Sequence, residues 1–208
     1  MRRTFNEIAG TLKKAAVGSG FPPGLAEDAG RAAAWLARNG ADGVGAVLAG
    51  IERGFSGVSA DRSQDAGVDF DDAHVAVVGP CALDLVLAGI AGGGVRLKNA
   101  DAPVMMIGLA GCVADDHETA FRLEFSNGAT ADVGQGGFSL SGEFPVPGCD
   151  VTVTPAAHAA GGRAEVARGA DVDPAIWKRA DALAVKTYVP ATEASRLQGA
   201  GAGLTDND

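Results

Sequence analysis

The spacing of apolar residues predicts helices in the N-terminal part of the chain. Apolar side chains recur there every three or four positions, which is typical of a helix with one buried face. The first series is Phe5, Ile8, Leu12, Ala15 and Ala16, with Asn6 as its candidate cap; the second is Leu25, Ala29, Ala32, Ala33 and Leu36; a weaker third covers residues 44–52. Residues 1–53 are therefore predicted to form a compact antiparallel helical subdomain.

A polar connector is predicted over residues 54–72, where five aspartates, Asp61, Asp65, Asp69, Asp71 and Asp72, follow glycines and serines. An EF-hand loop requires ligands at alternate positions, a glycine at position six and a glutamate at position twelve. That spacing is absent, so a solvated loop is favoured over a calcium site.

From His74 onward the composition changes, and a strand–helix–strand unit is predicted. The consecutive apolar residues 75–78 indicate a buried strand, and Pro80 is placed like the first-turn proline of a helix through Leu83, Val86, Leu87 and Ile90. A new strand begins at residues 95–97, as in a crossover connection. The G-x-G-x-x-G series is missing, so no dinucleotide cofactor is predicted.

Beyond residue 100 the pattern predicts a mainly antiparallel sheet. Residues 104–113 are apolar and contain two glycines, which indicates an irregular strand. Apolar and polar residues alternate over 121–125, Asn127-Gly128 is typical of a type I′ turn, and residues 129–133 return as the partner strand. Further short strands are predicted at residues 138–140, 151–153 and, at an edge, 164–167.

The last long helix is predicted to start at Asp173-Pro174, an aspartate cap followed by proline, and to stop at Pro190. After it, residues 186–208 carry Val189, Leu197 and Leu204, and we expect this tail to be docked on the protein. The predicted fold class is α+β: an N-terminal helical unit, a mainly antiparallel sheet and a C-terminal helix with the docked tail. Residues 73–208 form the predicted α+β domain, or the whole chain forms one continuous domain.

Charge and composition exclude several classes of partner. The 208 residues carry a net charge of −9, and basic residues occur in short doublets such as Arg2-Arg3 and Lys13-Lys14, so neither nucleic acid nor an anionic membrane is an expected partner. No window is long and apolar enough for a membrane span, and no secretory signal is expected. Three isolated cysteines indicate a reduced, cytoplasmic location.

Two groups of residues are candidates for chemistry. Cys81 is placed near a predicted helix N-terminus, which lowers a thiol pKa, but His74 is expected at the far end of the preceding strand, so a buried core cysteine is favoured. The run Asp115-Asp116-His117-Glu118 offers metal ligands. Consecutive residues point to different sides, so a polar turn ahead of Phe121 is favoured, and no metal site is predicted.

The C-terminal segment supplies the candidate ligand-binding residues. Tyr188 is the only tyrosine of the chain and offers an apolar ring with a polar tip. Arg196 is placed on a short predicted helix and could hold a carboxylate or phosphate in its planar fork, or cap a helix end or pair with Glu193.

Both ends of the chain resemble an uncharacterised family of bacterial proteins of about this length, a domain of unknown function. The resemblance lies in Phe5-Asn6-Glu7-Ile8, in residues 24–30 with Trp35-Leu36, and above all in Thr187-Tyr188-Val189-Pro190 through the Gly-Ala-Gly-Ala-Gly-Leu-Thr-Asp-Asn-Asp end. It implies a bacterial, cytoplasmic protein and transfers no activity, cofactor or catalytic residue.

Two functions are compatible with these observations. The first is binding, or conversion, of a small anionic metabolite beside the C-terminal segment, with Tyr188 and Arg196 as contacts. The second is a non-catalytic partner or assembly subunit, such as a homo-oligomer, with the C-terminal segment buried across an interface. The residues leave open whether the protein is an enzyme.

Overall fold

Six helices and two β-sheets make up the part of the chain that the computed structural model describes, which is residues 1–56, 67–90, 94–157 and 168–188. The helices are α1 (Phe5–Gly18), α2 (Pro23–Arg38), α3 (Gly43–Ile51), α4 (Val75–Leu87), α5 (Pro103–His117) and α6 (Pro174–Ala184), and a 3-10 turn follows at Val185–Thr187. The strands are β1 (Arg2–Thr4), β2 (Val68–Phe70), β3 (Val95–Leu97), β4 (Phe121–Phe125), β5 (Thr130–Gly134), β6 (Gly137–Ser141), β7 (Val151–Pro155) and β8 (Gly169–Asp171). The α+β class is confirmed.

The larger sheet has the strand order β2-β3-β7-β4-β5-β6. Only β2 and β3 pair in parallel, with α4 between them in the chain, whereas all other neighbours are antiparallel. The second sheet is an antiparallel ribbon of β1 and β8, in which Arg3 lies opposite Ala170. Neither of these two short strands was predicted from the sequence.

Thr4, and not Asn6, caps helix α1, so the helix begins at Phe5, two residues earlier than a cap at Asn6 would place it. The Thr4 hydroxyl accepts a hydrogen bond from the Glu7 amide at 3.2 Å, and the Glu7 carboxylate accepts one from the Thr4 amide at 2.8 Å. This reciprocal arrangement is a capping box, which satisfies two of the free amide groups of the first turn. The Thr-x-x-Glu spacing is visible in the sequence.

The strand predicted at residues 75–78 is wrong, since these residues form the first turn of α4. The Asp101 carboxylate accepts a hydrogen bond from the Val75 amide at 2.9 Å, and so caps the helix from a distant part of the chain. His74 Nε2 lies 2.7 Å from the carbonyl oxygen of Gly50 and donates to it. Pro80 consequently lies inside the helix, not in its first turn, and the strand before the crossover is β2.

The strand predicted at residues 104–113 is also wrong, because this segment is the buried helix α5. Pro103 occupies its first turn, and nearly all sides of the helix are covered. Its two glycines face α2: a Cβ on Gly108 would lie 2.8 Å from the Ala32 carbonyl oxygen, and a Cβ on Gly111 would overlap the indole ring of Trp35. The uniform apolar pattern reflects burial on all sides.

The predicted hairpin of β4 and β5 is confirmed, with Phe121 opposite Val133. Its turn is not type I′, which requires positive φ at both central residues. Of the two central residues Asn127 and Gly128, Gly128 alone has a positive φ, at 85°. The Gly128 amide donates a hydrogen bond to the Phe125 carbonyl at 2.9 Å. The strands predicted at 138–140 and 151–153 are confirmed as β6 and β7, and the edge strand predicted at 164–167 lies outside the described residues.

The last long helix is confirmed as α6, with the Asp173 carboxylate accepting from the Ala175 amide. It ends at Ala184, before the predicted stop at Pro190. One hydrophobic cluster includes residues of the helical N-terminal part, such as Leu12 and Leu36, and of the sheet, such as Leu123 and Val153. The boundaries predicted at residues 53 and 73 stay predictions, and no helix in the described ranges is long and apolar enough to cross a bilayer.

Replacing Gly111 with alanine is expected to lower the free energy of unfolding by about 1–3 kcal/mol, because the new methyl group would overlap Trp35 and force the two helices apart. Chemical denaturation measures the change. Gly10→Ala is the matched control: it lies in α1 with nothing within 4 Å of the point where a Cβ would be, so alanine should stabilise that helix by up to about 1 kcal/mol. Equal effects at the two positions would contradict the packing described here.

Candidate functional site

A groove of about 200 Å³ lies where α1, α2 and the last turns of α5 meet. It is lined by Phe5, Asn6 and Ala9 of α1, by Arg31, Ala34, Trp35 and Arg38 of α2, and by Cys112 and Asp115 of α5. The α2 residues Arg31, Trp35 and Arg38 follow one another at steps of four and three, so they share one face of that helix.

Asp115 fixes the floor of the groove. Its carboxylate accepts one hydrogen bond from Trp35 Nε1 at 3.0 Å and one from the Gly136 amide at 2.7 Å. It thereby joins α2, α5 and the turn between β5 and β6. The Trp35 ring is almost fully buried and also lies 6.0 Å from the ring of Phe138.

The run Asp115 to Glu118 is therefore not the predicted polar turn before Phe121. It forms the last turn of α5, and Glu118 ends the helix with a positive φ of 51°. Asp115 and Asp116 both contact α2, through Trp35 and Arg31. In the described part of the chain, no group of three or more His, Cys, Asp or Glu residues is placed to hold a metal ion.

Arg31 closes one end of the groove through a forked ion pair. Its Nη2 lies 2.8 Å and 2.7 Å from the two carboxylate oxygens of Asp116, and this hydrogen bonding raises the pKa of Arg31. A second groove, of about 170 Å³, lies beyond the pair between α2, α4 and α5, with Asp28 and Asp84 among its lining residues. Burial raises the pKa of Asp28, and the nearby Asp84 charge adds to the shift.

Cys112 lines both grooves, and it is a poor nucleophile. Burial raises the pKa of its thiol to about 12, so the thiolate is scarce near neutral pH. Cys81, which was expected to be a buried core residue, is exposed on α4, seven positions into the helix instead of at its N-terminus. That expectation is wrong because the helix starts at Val75.

Arg38 is the free cation of the groove. Its guanidinium carbon lies 5.4 Å from the centre of the Phe5 ring, and the described residues place no carboxylate within ion-pair distance of it. Arg31 and Arg3, by contrast, pair with Asp116 and Glu7. Arg38 is in the last turn of α2, where the helix dipole stabilises a positive charge.

Tyr188, one of the two residues predicted to bind a ligand, is not among the described lining residues of this groove. Tyr188 is 58% exposed, and its hydroxyl lies 3.4 Å from Lys14 Nζ. It belongs to what we call the Tyr188 surface: Val17, Val185 and Tyr188 with Lys14 and Lys186. Arg196, the tail that was expected to dock and the short helix predicted for it lie outside the described residues.

The groove was not predicted from the sequence, because the candidate ligand contacts were placed on the C-terminal segment. The detectable signal was the polar pair Arg31 and Arg38 on the otherwise alanine-rich face of α2, with Trp35 between them. The partners on α5 could not be found, since that segment was predicted to be a strand.

One family model matches part of the chain. A domain of unknown function, DUF3726, is found at residues 3–73. All groove residues except Cys112 and Asp115 lie within the DUF3726 region. None of the curated proteins compared matches this sequence.

Among solved structures, the fold is similar to a malate dehydrogenase from Entamoeba histolytica, with a TM-score of 0.47 and 12% sequence identity. The similarity covers 72% of this chain and 48% of that chain, so this chain spans about half the length of the protein it matches.

In alkylation with iodoacetamide at pH 8, Cys81 is expected to react first and Cys112 last. With a pKa of about 12, only about one Cys112 thiol in ten thousand is ionised at that pH. Peptide mass spectrometry measures the sites. Cys81→Ser should therefore remove nearly all rapid labelling, and rapid labelling of Cys112 in that variant would contradict the burial described here.

Asp28→Asn is expected to gain stability over the wild type as the pH rises from 3 to 7. The pKa of Asp28 is raised in the folded state above its usual 3.8, so ionisation costs folded-state stability as the pH rises through the two pKa values. Denaturation at several pH values tests this. Asp181→Asn is the control, since Asp181 is exposed on α6 and has no ion pair with the described residues. If Asp28→Asn instead loses stability relative to the wild type as the pH rises, the direction of the Asp28 pKa shift described here is wrong.

Proposed function

We propose that the protein binds a small organic anion in the groove between α1, α2 and α5, with Arg38 holding its carboxylate or phosphate group. The observation that carries the proposal is the state of Arg38: a guanidinium at the edge of a groove, over an aromatic ring, without an ion-pair partner in the described residues. A planar guanidinium offers two parallel donors to such a group.

The surroundings of Arg38 favour a ligand over a structural role. The helix dipole and the Phe5 ring already stabilise its charge, so no carboxylate of the protein is needed to hold it. Its donors are therefore available. Arg31, at the other end, is already occupied by Asp116, so the anionic group is assigned to Arg38.

The groove indicates a small ligand with an apolar part. Phe5, Ala9 and Ala34 supply apolar walls, and the Asn6 amide supplies a further donor and acceptor. Its volume of about 200 Å³ is below the ~300–1,000 Å³ of pockets that enclose drug-sized ligands. A short carboxylic acid or a phosphate ester of similar size fits better than a nucleotide.

Thermal unfolding with three probes, succinate, acetate and inorganic phosphate, tests the proposal. At least one probe is expected to raise the unfolding midpoint by several degrees, since a ligand at a hundred times its Kd adds about 2.7 kcal/mol. Arg38→Ala should abolish the shift. Arg2→Ala is the matched control, because Arg2 is exposed and the described residues show no ion pair for it.

The result that overturns the proposal is a shift of equal size in Arg38→Ala, or no shift with any of the three probes. Sodium chloride at matched ionic strength separates binding from general salt effects.

A second function, that of an assembly or partner subunit, is favoured by the exposed apolar residues of the Tyr188 surface. In that case the C-terminal segment is buried across an interface. Contacts of Tyr188 and Arg196 with a ligand stay predictions, as do a bacterial source and a cytoplasmic location.

A further inference from the structure

The Tyr188 surface is an apolar area at the point where the described part of the chain ends. Val17 is 40% exposed, Val185 57% and Tyr188 58%, so three large side chains are in contact with solvent in one small area. Lys14 and Lys186 border them, and in the described residues neither has an ion-pair partner.

Direct contacts bring these residues together from two distant parts of the sequence. Lys14 and Val17 are neighbours on one face of α1. The Lys14 ammonium lies over the Tyr188 ring, 5.3 Å from its centre, and the Tyr188 amide donates to the Val185 carbonyl at 3.0 Å. A Cβ on Gly18 would lie 3.4 Å from Lys186 Cβ, so the 3-10 turn rests on the end of α1.

We propose that residues 189–208 of the same chain cover the Tyr188 surface. The segment starts at the surface itself, directly after Tyr188. Its twenty residues reach at most about 70 Å when extended, many times what is needed to cross three side chains. The segment contains three aliphatic residues, Val189, Leu197 and Leu204, whose side chains can pack against the exposed apolar side chains of the surface.

Charge supports this occupant over an unrelated protein. The segment contains the carboxylates Glu193, Asp206 and Asp208 against one arginine, Arg196. The surface presents two ammonium groups, Lys14 and Lys186, in a chain whose net charge is −9. Opposite charges at the border of a small apolar contact fix its register. The proposal is independent of the anion-binding groove, which shares no residue with this surface.

The test uses the full chain with a reporter thiol at the covered position. Val185→Cys is made in a Cys81→Ser background, because Cys81 is the exposed native thiol among the described residues. Its alkylation by iodoacetamide is expected to be at least about tenfold slower than that of the same reporter in a chain that also carries Val189→Ser, Leu197→Ser and Leu204→Ser. The slow rate should be the same at all protein concentrations.

Ile90→Cys in the same background is the matched control, since Ile90 is 68% exposed after α4 and should be alkylated rapidly with either tail. Equal rates at position 185 with the native and the serine-substituted tail would overturn the proposal. So would protection at position 185 that disappears on dilution, since a second copy would then be the cover.

Discussion

The close approach of α5 to α2 is the contact on which the rest of the site depends. Gly108 and Gly111 have no side chains, and α2 occupies the space where those side chains would be. The indole ring of Trp35 therefore lies flat on Gly111, and its Nε1 reaches Asp115, one turn further along α5. One turn earlier on α2, Arg31 meets Asp116 in the same way. A single spacing between two helices thus sets both hydrogen-bonded pairs.

Asp115 extends this constraint to the sheet. Its second oxygen accepts from the Gly136 amide, so the turn between β5 and β6 is held against the helix pair. Both oxygens of the carboxylate accept a hydrogen bond in this connection, so Asp115 belongs to the framework of the groove. Arg38, on the same face of α2, has no such partner in the described residues. The charge of Asp115 therefore serves the structure, whereas the charge of Arg38 is available to a ligand.

The sequence predicted the amphipathic elements well, and failed where an element is buried on all sides. The alternation of polar and apolar residues was sufficient to predict β4, because that strand has one exposed face. The Asp-Pro pair was sufficient to predict the start of α6, because the cap is local in sequence. For 75–78 and for α5, a continuous apolar run fits a buried strand as well as a buried helix. The groups that favour the helix in each case are distant in the sequence. The Asp101 carboxylate caps α4, and Ala32, Trp35 and Leu36 of α2 pack against the glycines of α5. The groove was missed for the same reason, since part of its wall is α5.

The β1–β8 ribbon has a consequence for the order in which the chain is completed during synthesis. Arg3 pairs with Ala170 and its guanidinium stacks on Trp177, while Gly18 lies against the Leu183 backbone. Helix α1 is translated long before α6, so its α6-facing side has no cover until residues 174–184 have been made. A nascent chain therefore carries an uncovered helix flank while the residues between α1 and α6 are synthesised, and exposed apolar surface of this kind is prone to aggregation.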